Sequence, residues 1–157
     1  MQPTIEFSPE RKLAGKKMSM CFADNRVAEL WKTFRPHIAS IGNRISTDLI
    51  SLAVYAPDHF THFDPHRPFE KWAAVEVNEL ENIPEEFDQL MVPAGPYAVF
   101  HYKGSSADPS IFQYIYGSWL QQSGYKLDHR PHFEVLGSNY KNNHPDSEET
   151  IWIPVIA

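Results

Sequence analysis

The sequence has one cysteine, Cys21, in 157 residues. A lone thiol excludes an intramolecular disulfide and a cysteine-rich zinc site. Positive charge is scarce as well: 14 Lys and Arg stand against 20 Asp and Glu, for a formal charge of −6. An acidic surface repels phosphates, so direct nucleic-acid binding through a basic face is not expected. No run approaches the ~18 consecutive apolar residues of a membrane span. The opening stretch MQPTIEFSPERKLAGKK has no apolar core of the kind a secretion signal needs. A cytoplasmic protein that does not enter membranes is the expectation. The phosphate-cradling G-x-x-x-x-G-K-[ST] and G-x-G-x-x-G patterns are missing, as is the G-x-S-x-G nucleophile turn. No cofactor is expected.

Aromatic residues are plentiful. Ten Phe, seven Tyr and four Trp make 13% of the chain, within an apolar share of 42%. That is enough to build the core of one domain, and an excess of rings also suits a ligand pocket. Two polar stretches, residues 57–68 (PDHFTHFDPHRP) and 137–150 (GSNYKNNHPDSEET), read as loops because they concentrate Pro, Asp, Asn and His.

Two helices are expected. Val27, Leu30, Trp31, Phe34, Ile38 and Ile41 recur at helical spacing, with Asp24 as N-cap and Gly42 as stop. Pro36 predicts a break or kink near Arg35. Phe112, Ile115, Tyr116 and Trp119 form the second stripe, opened by Asp108 and Pro109 and closed by Gly124. Strands are expected over 4–7, 18–22, 48–55, 71–79, 97–102, 132–137 and 150–156, with Pro154 suiting an edge or a strand end.

These elements repeat: strand, helix, strand, loop, strand, and then the same order again. Trp31 and Trp119 fall in the two helices, and Trp72 and Trp152 in the two closing strands. The pattern predicts an α+β fold made of a duplicated β-α-β-β unit with pseudo-two-fold symmetry. The whole chain, 1–157, forms one domain with halves at about 1–92 and 93–157. A cleft between the halves is the natural place for a small ligand.

The segments LWKTFRPHI, FEKWAAVEV, AGPYAVFHYKGS, YGSWLQQSGY, HFEVLGSN and IWIPV, in this order, resemble the effector-binding domain family. It comprises the small-molecule-binding domains of AraC-type and MerR-type activators and the gyrase-inhibitory-like proteins. The resemblance spans nearly the whole chain and implies the duplicated fold with hydrophobic, often cationic, aromatic ligands bound between the halves. It also implies a buried Glu at the bottom of the pocket, matched here by Glu134 in HFEVLG. Leu136 departs from the Tyr frequent in the family at that place. No helix-turn-helix region is evident, so the chain resembles stand-alone members, including those carried as gene cassettes.

Glu134 stands out on physical grounds too. Strand alternation puts His132, Glu134 and Leu136 on one face. A buried carboxylate must be paired, protonated or used, and a lipophilic cation would partner it. Glu76 is a second candidate, sharing a strand face with Trp72 and Ala74. Trp72, Tyr116 and Trp152 are the candidate aromatic lining. His59, His62, Asp64 and His66 have metal-like spacing but sit in a connecting loop with no rigid element behind them, so no metal site is expected.

The favoured function is therefore binding of hydrophobic, cationic aromatic molecules, with Glu134 selecting charge. An alternative is hydrolysis of reactive cyclopropane-type toxins, with Glu134 as base and Tyr116 or Trp152 positioning substrate. A third reading is a protein-interaction inhibitor. A partner protein or a homodimer remains open.

Overall fold

A computed structural model describes residues 2–157. The chain opens with β1 (Thr4–Ser8) and β2 (Arg11–Met20), followed by α1 (Val27–Phe34), β3 (Leu49–Val54) and β4 (Phe69–Val77). Next come β5 (Asp88–Val92) and β6 (Gly95–Lys103). The second helical segment begins as α2 (Ser110–Tyr114), passes through a π-helical turn (Ile115–Trp119) and ends as α3 (Leu120–Ser123). Then β7 (Lys126–Leu127), β8 (His132–Leu136) and β9 (Glu148–Ile156) close the chain.

The strands form one antiparallel sheet in the order β1-β6-β9-β8-β3-β4-β2-β5, with β7 pairing the end of β9. Outward from the β3–β8 seam, one side runs β3-β4-β2 and the other β8-β9-β6. Each side comes from consecutive chain with one helical segment after its first strand. The fold is thus α+β, a β-α-β-β unit used twice. At the seam Leu49–Ala53 pair Leu136–His132, with Ser51 opposite Glu134.

The sheet has two differently covered faces. On the helix side, Leu30, Trp31 and Phe34 of α1 pack with Ala73, Val75 and Val77. Ile111, Ile115 and Trp119 pack there with Phe100, Ile151 and Ile153. The other face carries Leu13, Leu52, Trp72, Tyr97 and Phe133 from both halves in one cluster. It rolls up on itself: the Arg11 guanidinium of β2 lies 4.9 Å from the ring centre of Trp152, four strands away in the sheet order.

Local chemistry explains most element ends. Pro36 lacks an amide donor, and from Arg35 to Ser40 the helix tightens into a 3-10 segment. The expected cap Asp24 is instead held in a bridge to Cys21. The N-cap position falls to Arg26, and Asn25 Oδ1 accepts the Val27 N–H at 2.9 Å in the turn that leads into the helix. In the second helical segment Asp108 accepts the Ser110 amide at 2.9 Å, and Gly124 ends the helix with φ 80°.

Three further differences concern strands. The second strand begins at Arg11, seven residues before the expected 18. β5 and β7 were not legible, being short and without strong alternation. Pro154 lies in β9, an inner strand, at a level between the last β8 pairing and the first β7 pairing. Gly15 of β2 faces β4 so closely that a Cβ there would overlap the Ala73 carbonyl oxygen. No helix among the described residues is long and apolar enough to cross a membrane.

Candidate ligand-binding site

The seam is hollow on its helix side because the residues there are small. Ser51 and Ala53 of β3 and Ala73 of β4 share that face, between the areas covered by α1 and by the second helical segment. Around this floor stand Lys71, Tyr55, Phe112, Tyr116, His132 and Glu134. The remaining space is about 20 Å³, room for one water molecule.

The hollow is filled from above by the loop between β3 and β4. The Phe60 ring stacks on Tyr116 at 4.3 Å and 9°, and on His132 at 5.8 Å. Tyr55 meets His132 edge-on at 4.9 Å. His59, in the same loop, is 1% exposed, and neither ring nitrogen has a hydrogen-bond partner. Phe22 and Phe63 continue the ring cluster outward, 5.7 Å apart. Each such ring pair adds about 0.5–1.5 kcal/mol beyond its buried area. The loop read as a polar connection is therefore polar outside and aromatic inside.

The electrostatics are those of a dry acidic pocket. The Tyr116 hydroxyl and His132 Nδ1 are 2.7 Å apart. Burial pushes His132 down to about 3, so its imidazole is neutral at physiological pH. Burial also raises the Tyr116 and Tyr55 hydroxyls well above their ordinary value, helped by the nearby Glu134 charge. Glu149 of β9 points to the same face as Ile151 and Ile153, diagonal to Glu134 on the neighbouring strand. It is 8% exposed, and burial, followed by the Glu134 charge, pushes its carboxyl up to about 8. Among the described residues neither carboxyl makes an ion pair.

Of the residues singled out in the sequence, Glu134 and Tyr116 come together here. Trp72, Trp152 and Glu76 lie on the helix-free face. Glu76 pairs with Arg11 at 2.9 Å. Trp152 stacks on Phe133 at 5.3 Å, and the Arg11 guanidinium lies over both rings. Trp72 is 2% exposed and donates its indole N–H to Glu70. Sequence reading passed over Glu149, Lys71 and Phe60, and weighed His59 only as a metal ligand. Glu149 had a signal: it shares the alternation of Ile151, Ile153 and Val155, which marks it as inward-facing. Among the described residues no group of three His, Cys, Asp or Glu is arranged to hold a metal ion.

The description "GyrI-like small molecule binding domain" matches residues 1–156. The chain belongs to the GyrI-like family. A transcriptional regulator of Pseudomonas aeruginosa, BrlR, is 29% identical over 99% of this chain. The chain spans 56% of the length of that relative. Among solved structures, SAV2435 bound to tetraphenylphosphonium superposes with a TM-score of 0.78 at 17% identity, covering 100% of this chain and 95% of the other. An integron cassette protein of Vibrio cholerae gives 0.70 at 14% identity, covering 99% and 96%. At these identities the structural likenesses establish the GyrI-like fold.

Proposed function

We propose that the chain binds hydrophobic aromatic cations in the hollow at the β3–β8 seam, on Glu134 and among Tyr55, Tyr116 and His132. One observation carries this reading: Glu134, half-buried in the wall of an aromatic hollow, and the buried Glu149 beside it on β9 have no ion-pair partner among the described residues. A buried acid of this kind costs several kcal/mol, roughly, until a cation arrives. Aromatic faces add about 0.5–2 kcal/mol each to a desolvated cation, and burial of ligand rings adds about 25 cal/mol per Å². A tetra-aryl cation does not fit 20 Å³, so binding requires Phe60 and its loop to move aside. The ligand named for SAV2435, tetraphenylphosphonium, is the cation of choice for the test.

The experiment is a fluorescence titration of the whole chain with tetraphenylphosphonium. Saturable binding is expected, weakened at least tenfold by Glu134→Gln and unaffected by Glu29→Gln, a surface acid on α1. Equal affinity of wild type and Glu134→Gln contradicts the reading. The same carboxyl pair, one member holding its proton beside the other, also suits acid–base hydrolysis of a strained electrophile. Mass analysis after incubation with a cyclopropane-bearing electrophile distinguishes the two: a binder returns it unchanged, a hydrolase adds water.

A further inference from the structure

We infer that the site exchanges a proton for its cation, and that Glu149, beside Glu134 on the same face of the β8–β9 pair, is the residue that gives up the proton. The inference rests on the binding reading above and deepens it. Its basis is geometric. Register pairs Glu134 with Ile151, so Glu149 is the diagonal neighbour on the same face. Two neighbouring carboxylates repel each other, which favours a proton on one of them. Glu149 is 8% exposed, so water solvates its charge poorly.

The surroundings favour keeping that proton while the site is empty. Tyr55, Tyr116 and His132 face the pair from the aromatic side, all neutral at physiological pH. His59, buried in the covering loop, is itself biased toward its neutral form by burial. Lys71 of β4 is the cation that acts on Glu149, and it opposes the burial effect without cancelling it. Tyr102 of β6 also feels the Glu149 charge. On its other side Glu149 lines an open polar depression of about 390 Å³ with Asp48, Lys103 and Glu148. That depression gives the proton a way to solvent without passing the ligand. An arriving cation supplies the positive charge that the proton supplied before. Glu149 then ionises, and the proton leaves through the depression.

The test is calorimetric titration of tetraphenylphosphonium into the whole chain at pH 7 and pH 9, in buffers of low and high ionisation enthalpy. At pH 7 close to one proton released per bound cation is expected. At pH 9 the release falls toward zero and affinity is about tenfold higher, as one-proton linkage to a group titrating near 8 requires. Glu149→Gln should bind with no proton release and with the same affinity at both pH values. Triphenylphosphine oxide, a neutral triaryl, should release no proton from wild type. Binding of the cation to wild type without buffer-dependent heat at pH 7 overturns the exchange and leaves the binding reading standing. No binding at either pH overturns both. The wild-type measurement decides even if Glu149→Gln fails to fold.

Discussion

Tyr116 joins the pocket's electrostatics to its packing. Its hydroxyl is within hydrogen-bond distance of His132 Nδ1, and its ring carries Phe60. Tyr116→Phe keeps the stack but leaves a buried imidazole nitrogen unpaired, which costs about 1–3 kcal/mol. Denaturant unfolding should show this loss, and an unchanged midpoint would mean the hydroxyl does nothing for the fold. Residues of this kind were partly legible. Glu134 was singled out chiefly through the family resemblance, with its apolar strand neighbours in support, and Tyr116 as a ring near the junction of the halves. Alternation also grouped Trp72 with Glu76, but it does not tell which side of a strand faces the helices. That side is fixed by pairing four strands away, where Arg11 meets Trp152. Glu149 went unseen because its meaning depends on β8 lying beside β9.

At the scale of elements, the β3–β4 loop lays Phe60 over Tyr116. Under the proposed function this is the position of a bound aryl ring, and the two compete. Phe60→Ala should therefore tighten tetraphenylphosphonium binding, read by the same fluorescence titration, whereas weaker binding would make Phe60 a wall of the site instead. Within the sheet, Gly15 is required by close approach to β4. Gly15→Val should lower stability by about 2 kcal/mol or more, since the backbone beneath it must shift, and thermal unfolding checks this. The strands and helices with strong periodicity were visible in the sequence. β5 was not, because its place comes from pairing with β2 rather than from its own pattern. The π-helical turn that carries Tyr116 likewise has no local signal, since it differs from an α-helix only in where its hydrogen bonds close.

The whole molecule shows the duplication in its strand order. β1 precedes the first unit but pairs with β6 of the second, and β5 precedes β6 but pairs with β2 of the first. We propose that these are equivalent leading strands exchanged between the units, which places the repeat boundary between β4 and β5. Both units share the buried titratable groups at the seam, so stability must depend on pH. His132 has its pKa lowered by folding, from 6.5 to about 3. Its contribution is present above 6.5 and is lost as pH falls toward 3. His59 acts in the same direction. Glu149 is the opposite case: its value rises from 4.5 to about 8, so its contribution is present below 4.5 and is lost as pH rises through 8. Stability should thus peak near pH 6.5 and fall on both sides; Glu149→Gln removes the alkaline fall and steepens the acid one, because Glu149 opposes the histidines between 4.5 and 6.5. Thermal melts across pH 4–9 give the curve. A stability that rises steadily from 6.5 to 9 would contradict it.

The most direct test of the central claim is a crystal structure of the chain with tetraphenylphosphonium. The account predicts the cation on the helix side of the β3–β8 seam, against Glu134 and Glu149, with Phe60 displaced from Tyr116. A cation seated on the helix-free face beside Trp72, Trp152 and Glu76, with Phe60 still stacked on Tyr116, would contradict it.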